Sequence, residues 1–421
     1  MSVFTTALAI ISLLLLAQIS YSTFLKLYTW NDANLRYKYR APAVFIPPTK
    51  SFTVLLPARH EEEVIQQTIQ GVLNANYPMD LLEIVVICRS DDEGTIVKVR
   101  EKIAAAKLQG VTNVRLIIFR DKPINKPHGL NVGLRYTRNE VVTIFDAEDQ
   151  VHPDIFNVAN TVMVHEGFNA VQAGVQLMNF DSRWYSAHNV LEYFFWFKSS
   201  LYYYADFGII PLGGNTVFFT RRLLNQIGGW DETCLTEDAD IGIRLSMRGE
   251  RVRVVYEDAY VTKEESPPSL AQFIKQRSRW NQGFFQILRR GDYWKLPRLS
   301  QRLLAFYTLS SPIIQALTLL YIPVSIYTAF FLNVGVGYAM LLCLPAYMLI
   351  GQFVVSLIGL HEFAEAHGIR LKPLTWLKLL LSFYPYQVLL GIGAVRAVIR
   401  EVRRVNTWEK TKHVNAHRRA A

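Results

Sequence analysis

Long apolar stretches bracket a central region in which short apolar runs alternate with helical periodicities. Residues 1–25 contain no charged side chain, and the run 3–25 is long enough to cross a bilayer. No basic residue precedes it and no small-x-small site follows. It therefore reads as an uncleaved anchor rather than a signal peptide. Lys26, Arg36, Lys38 and Arg40 come next, which by the positive-inside bias puts the following segment in the cytoplasm. Strand-like runs fall at 52–57, 82–88, 114–119 and 141–145. Between them Ile65, Ile69, Val72 and Leu73 share one helical face, and Ile96, Val99 and Ile103 share another. A short helical pattern covers 129–138. Strands that alternate with helices predict an α/β domain over 41–300, with a mostly parallel sheet buried on both faces.

Beyond residue 300 the pattern changes again. The stretches 303–332 and 336–360 are each long enough to span. The uncharged loop 333–335 between them reads as exoplasmic, and the next loop, with Arg370 and Lys372, as cytoplasmic. Pro385 divides the last stretch, 374–399, into pieces of about 10–14 residues, the length of re-entrant or interfacial segments. A broken hairpin is expected there, which keeps the basic tail in the cytoplasm; a single kinked span is the alternative. The predicted organisation is an anchor (1–25), a cytoplasmic domain with interfacial helices (41–300), a transmembrane or re-entrant region (303–400) and a basic cytoplasmic tail (401–421).

Composition supports membrane embedding. Of 421 residues, 51% are hydrophobic and only 19% charged, against about 25% charged in an ordinary soluble domain. The net charge of +10 is concentrated, with eight Lys/Arg and two Glu between Arg396 and Arg419. A tail of this kind fits contact with anionic lipid and argues against a nucleic-acid partner. Cys88, Cys234 and Cys343 lie far apart with no CxxC spacing, so neither a disulfide nor a zinc framework is expected.

The candidate chemistry sits at strand ends. Asp146-Ala147-Glu148-Asp149 follows the fourth run directly. Ligands of parallel α/β sheets bind beyond the carboxyl ends of the strands. Adjacent acids repel unless a cation neutralises them, and oxygen ligands of this type suit Mg²⁺ or Mn²⁺. An acidic loop that caps the next helix is the plainer reading. Thr236-Glu237-Asp238-Ala239-Asp240 precedes a helical pattern and is also a possible cap. Around it lie the turn Gly213-Gly214-Asn215 and the run Gln276-Arg277-Ser278-Arg279-Trp280. Arg forks onto phosphate oxygens and Trp offers a flat face to a sugar ring. Pro57 to Glu62 closes the first run, Ser90-Asp91-Asp92 follows the second, and Lys126 stands before a helix start. No GxGxxG or GxxxxGK[ST] is present, which argues against a dinucleotide site or a P-loop.

In this order and spacing the segments, over residues 50–285, resemble the membrane-embedded family-2 glycosyltransferases, which include the cellulose, hyaluronan and poly-N-acetylglucosamine synthases. The closing Asn406-Thr407-Trp408-Glu409-Lys410-Thr411-Lys412-His413 is similar to a tail of some bacterial members. The resemblance implies a GT-A-type nucleotide-sugar-binding domain flanked by transmembrane helices. It implies an inverting hexosyltransferase of the cytoplasmic membrane that moves a sugar from a nucleotide sugar, expected to be a UDP-sugar, to a growing polysaccharide in β-linkage. Asp238 would be the general base. Pro57, Glu62 and Asp91 or Asp92 would border base and ribose. Lys126 would lie near the phosphates, Asp146 at the nucleotide and Arg279 at the departing diphosphate. Gly213, Gly214, Asn215, Gln276 and Trp280 would shape the acceptor side. The Mg²⁺ or Mn²⁺ ligand of the family's Asp-x-Asp falls on Glu148, a departure that leaves Glu148 and Asp149 as alternatives. The alternative acceptor is a lipid, giving a glycolipid or polyprenyl-phosphate sugar; an inactive nucleotide-binding scaffold or transporter fits the carboxylates less well. Membrane lipids, and export or accessory subunits, are the remaining expected partners.

Overall fold

The computed structural model describes residues 3–411 and Arg418; Lys412 and His413 of the tail motif lie outside the described residues. Helix α1 (Val3–Leu27) leads through the short α2 (Ala33–Lys38) into the globular part. Its first half alternates β1 (Phe52–Ala58), α3 (Ile65–Leu73), β2 (Leu82–Arg89), α4 (Glu93–Leu108), β3 (Val114–Phe119), α5 (Lys126–Leu134), β4 (Val141–Ile144) and α6 (Ile155–His165). The second half brings β5 (Ala170–Ala173), β6 (Val175–Leu177), α7 (Ser186–Phe195), α8 (Leu201–Phe207), β7 (Val217–Thr220), α9 (Arg221–Ile227), α10 (Glu237–Met247), β8 (Val252–Val255), β9 (Thr262–Glu264) and α11 (Leu270–Arg290). Three long helices follow: α12 (Leu299–Phe331), α13 (Val336–Ala366) and α14 (Pro373–Val402).

Seven strands form one sheet in the order β3-β2-β1-β4-β7-β5-β8, and β6 pairs with β9 apart from it. The β3-β2-β1-β4 block is parallel, as expected, and β7 runs antiparallel between β4 and β5. The first strands read as unbroken apolar runs because both faces are covered. Phe52, Val54 and Leu56 of β1 point into the core under α3 and α6, where Ile65, Ile69 and Val72 meet them. Leu55, with Val85 and Ile87 of β2, points the other way, toward Leu130 of α5. Each such side chain stabilises the fold by about 1.5–3 kcal/mol. The chain runs from β1 outward to β3 and then returns to the other side of β1 as β4. That reversal leaves a crevice beyond the ends of β1 and β4.

Among the described residues four helices, α1, α12, α13 and α14, are long and apolar enough to cross a membrane. The expected break at Pro385 does not occur, and α14 is one helix of 30 residues. Proline removes one backbone donor and crowds the preceding turn. Here the turn is braced, because Ser382 Oγ donates to the Lys378 carbonyl and is hydrogen-bonded to His188 Nε2 (2.8 Å). Packing against α11 and α12 along its length then outweighs the lost bond.

Candidate active site

A cavity of about 450 Å³ fills the crevice. Its floor is the end of β1 (Pro57 to Glu61), its back wall the end of β4 (Asp146 to Glu148), and α11 contributes Gln276, Arg279 and Trp280.

Lys126 enters at the first turn of α5, whose N-cap Asn125 accepts the His128 amide at 3.0 Å. Its ammonium bonds the Asp146 carboxylate and lies 4.0 Å from Glu237 Oε1. Burial pulls the Lys126 pKa down, but Asp146, Glu237 and Asp238 more than offset it, so the lysine stays charged. Glu237 and Asp238 occupy the first turn of α10. Burial pushes Glu237 up to about 7 despite Lys126, and raises Asp238 as well. Asp238 Oδ1 accepts the Ala239 amide at 2.8 Å. Its other oxygen faces Gly214, whose φ is +82° and where a Cβ would come within 3.0 Å of Asp238 Oδ2.

The two candidate metal ligands separate. Glu148 lines the cavity. Asp149 Oδ2 is occupied internally, accepting the Asp146 amide (2.8 Å) and the Asn215 side-chain amide (2.8 Å). Asn215, expected on the acceptor side, is thereby a brace, since its amide also bonds Glu264. Glu61 and Glu264 join the cavity, and both are pushed up to about 8, first by burial and then by neighbouring carboxylates. Among the described residues no three acidic, His or Cys side chains are already gathered as a ligand cage. The donor set nevertheless fits a hard divalent cation, because Asp146, Glu148 and Glu264 are crowded carboxylates that repel one another.

The residues expected around base and ribose divide. Pro57 lines the cavity. Asp92 is 3% exposed; it accepts the His60 amide (2.6 Å) and caps α4, so it shapes the β1 loop without reaching the cavity. Asp91 pairs outside with Arg89 and Arg59, and those two arginines line the wall instead. Glu62 is exposed beside Gly94, and its neighbour Glu61 points in. Gly213 and Gly214 border the cavity; the Gly213 amide donates to Gln172 Oε1 (2.8 Å).

The tail is part of the same site. Trp408, Lys410 and Thr411 line the cavity. The Arg279 guanidinium lies 4.5 Å over the Trp408 ring, and Lys410 Nζ bonds Glu61 Oε1 at 2.6 Å. Tyr193 of α7 and Trp280 of α11 also line the cavity, with ring centroids 6.3 Å apart, and α7 packs on α13 and α14.

The description "Glycosyltransferase like family 2" matches residues 47–283, more than half of the chain, and the chain belongs to that family. Its globular domain has a GT-A-like fold. The chain is 27% identical over 263 residues to the probable glycosyltransferase YdaM of Bacillus subtilis, covering 58% of each chain. It is 28% identical over 248 residues to the beta-monoglucosyldiacylglycerol synthase of a Nostoc species, covering 58% of this chain and 50% of that one. The chain thus spans about half the length of these relatives. The mannosyltransferase PcManGT of Pyrobaculum calidifontis, solved with GDP-Man and Mn²⁺, shares the fold at a TM-score of 0.55 and 21% identity, covering 93% of this chain and 99% of that one.

Proposed function

We propose that the protein is an inverting glycosyltransferase acting at the cytoplasmic face of a membrane, with a nucleotide sugar as donor and a membrane lipid as acceptor. The observation that carries this reading is the meeting of Lys126, Asp146, Asp238 and Arg279 in one cavity at the switch point of the sheet. Asp238 takes the proton from the acceptor hydroxyl as its oxygen bonds the anomeric carbon; a positioned base contributes about 10²–10⁴-fold. The bond from that carbon to the diphosphate breaks in the same displacement, so an α-linked donor gives a β-linked product. Lys126 and Arg279 hold the departing nucleoside diphosphate. Asp146 and Glu148, with Glu264 beside them, would hold a Mg²⁺ or Mn²⁺ ion, which when bound would offset the negative charge of the diphosphate. Charged residues Lys26, Arg36, Lys38 and Arg40 after α1 support the cytoplasmic placement.

The lipid acceptor is favoured because α7 and α11, which bring Tyr193 and Trp280 to the cavity, pack on α13 and α14, and relatives named as glucosyldiacylglycerol synthases share the domain. A growing polysaccharide is the second reading, supported by the Gln276–Trp280 motif and by relatives named glucomannan 4-beta-mannosyltransferases. Incubation in vesicles with labelled UDP- and GDP-sugars, with and without diacylglycerol, separates the two. A single labelled species extracted into organic solvent is expected. A water-soluble ladder formed without diacylglycerol would replace the lipid reading with the polymer.

A further inference from the structure

Lys126, Asp238 and Arg279 come from three different helices, α5, α10 and α11. A short segment, 230–236, touches all three on its way from α9 into α10. Two adjacent acids in it face opposite helices. Glu232 faces α5. Its Oε2 is hydrogen-bonded to His128 Nδ1 (2.9 Å) and its Oε1 accepts the Asn131 side-chain amide (2.9 Å). Its backbone carbonyl accepts the Asn125 side-chain amide at 2.7 Å. These bonds cover the N-cap and first two turns of the helix on which Lys126 is the first residue. Asn131 also donates to the Trp230 carbonyl (2.8 Å) and accepts the Trp230 amide (2.9 Å). Gly229 leaves the room for this, since a Cβ there would come within 2.4 Å of Asn131 Oδ1.

Asp231 faces α11. Its Oδ2 pairs with Arg290, the last residue of that helix, and the other terminal nitrogen of Arg290 bonds Asp240 of α10. Asp231 Oδ1 accepts the Thr233 amide (2.8 Å) and the Thr233 hydroxyl (2.7 Å), which holds the acid in that orientation. Further along, the Leu235 amide donates to Gln286 Oε1 of α11 at 2.9 Å. The segment then runs directly into Glu237 and Asp238. Stability does not account for this arrangement. The Asp231 and Glu232 side chains are 23% and 28% exposed, and ion pairs so open to solvent contribute little to stability. What they fix is geometry, and a misplacement of 1 Å costs up to about 10² in rate.

We propose that Asp231 and Glu232 are positioning residues, a tie that fixes the spacing of Lys126 and Arg279 around Asp238. Glu232 sets Lys126 through His128 and Asn131. Asp231 sets Arg279 through Arg290, about three turns further along the same helix. The hold of Glu232 extends to the cavity wall, because the His128 ring meets Phe119 edge-on with centroids 5.3 Å apart, and Phe119 lines the cavity. A nucleoside diphosphate is thereby gripped from two sides, at a separation set by the segment that carries the base. The tie deepens the donor-site reading and rests on it.

The test measures UDP and GDP binding to the full chain in detergent with Mg²⁺ or Mn²⁺, so that no turnover is needed. Glu232→Ala is expected to weaken binding about tenfold, the scale of one weakened charge-assisted hydrogen bond. In a Lys126→Ala background it should bring no further loss, as residues that act through one another behave. Its melting temperature should stay within about 4 °C of wild type. Glu232→Gln, which can still accept from Asn131 and donate to His128, should bind as the wild type does. Unchanged binding in Glu232→Ala, equal losses with and without Lys126, or a Glu232→Gln protein as weak as Glu232→Ala would overturn this half of the tie. Should Glu232→Ala not fold, His128→Ala removes the same contact from the other side and is read in the same way. Asp231→Asn is the independent arm: its loss of nucleotide affinity should vanish in an Arg279→Ala background, and additive losses would overturn that half. A wild type that binds neither nucleotide would fail the donor-site reading and the tie with it, whereas wild-type binding with unaltered variants would fail the tie alone.

Discussion

Asp238 keeps one carboxylate oxygen open to the cavity because residue 214 has no side chain. At φ +82° any L-residue is strained there, and a Cβ would sit 3.0 Å from Asp238 Oδ2. Gly214→Ala is therefore expected to lower turnover by at least about tenfold, since a misplaced reacting group costs up to about 10². Steady-state rates beside a donor-binding measurement check this; an unchanged kcat would contradict it. Glu264 gives a pH prediction. Its carboxyl ordinarily titrates at 4.5 and is pushed up to about 8, by burial first and then by Asp146 and Glu148. The folded state holds that proton more tightly than the unfolded one. The cost to stability is absent below about 4.5, grows as the pH rises, and is complete above about 8. In EDTA, Glu264→Gln should raise the melting temperature at pH 8.5, by no more than about 5 kcal/mol of stability, and leave it unchanged near pH 5. An equal effect at both pH values would contradict the assignment. At this scale the sequence displayed the acids that stand next to strands or caps. Glu264 was illegible because only the pairing of β9 with β6 brings it to Asn215. Glu61 and Glu62 are adjacent in sequence, and only the bend at His60 (φ +55°) decides which one enters the cavity.

The elements are fixed by close approaches that a sequence does not announce. Helix α11 crosses the start of α10 at Gly283, where a Cβ would lie 2.3 Å from Thr236 Oγ1 and 2.7 Å from the Thr236 nitrogen. Gly283→Ala must push α11, and with it Arg279, away from Asp238. A cost of about 1–3 kcal/mol is expected, together with a loss of turnover. Gly351→Ala in α13, which would meet nothing within 4 Å, serves as the silent control. Melting curves and rates of both variants test this, and a fully active Gly283→Ala protein would contradict it. Strands β1, β2 and β4 were readable because each is an apolar run buried on both faces, and the edge strand β3 because it stays apolar although mostly half-buried. Strands β5 to β9 have three or four residues apiece and carry no periodicity of their own. Pro385 misled for a related reason: its local preference for a break was overridden by packing on α11 and α12.

Across the whole molecule, the globular domain and the apolar helices are joined by α7 and α11, which line the cavity and pack on α13 and α14. The β1 and β4 loops, Tyr193 of α7 and Trp280 of α11 all line that one cavity. The two-part layout was legible from hydropathy alone. The tail's return to the cavity was not, because contacts between Lys410 and Glu61 span about 350 residues of sequence and follow from α14 lying against the domain. The central claim is that this cavity transfers a sugar with Asp238 as base, and nucleoside diphosphate release from purified protein tests it most directly. With a panel of UDP- and GDP-sugars, a lipid extract and Mg²⁺ or Mn²⁺, release is expected with one donor. It should stop in EDTA and fall by about 10²–10⁴ in Asp238→Asn, which should still bind that donor. Release at the wild-type rate by Asp238→Asn, or none from the wild type with any donor, would contradict the account.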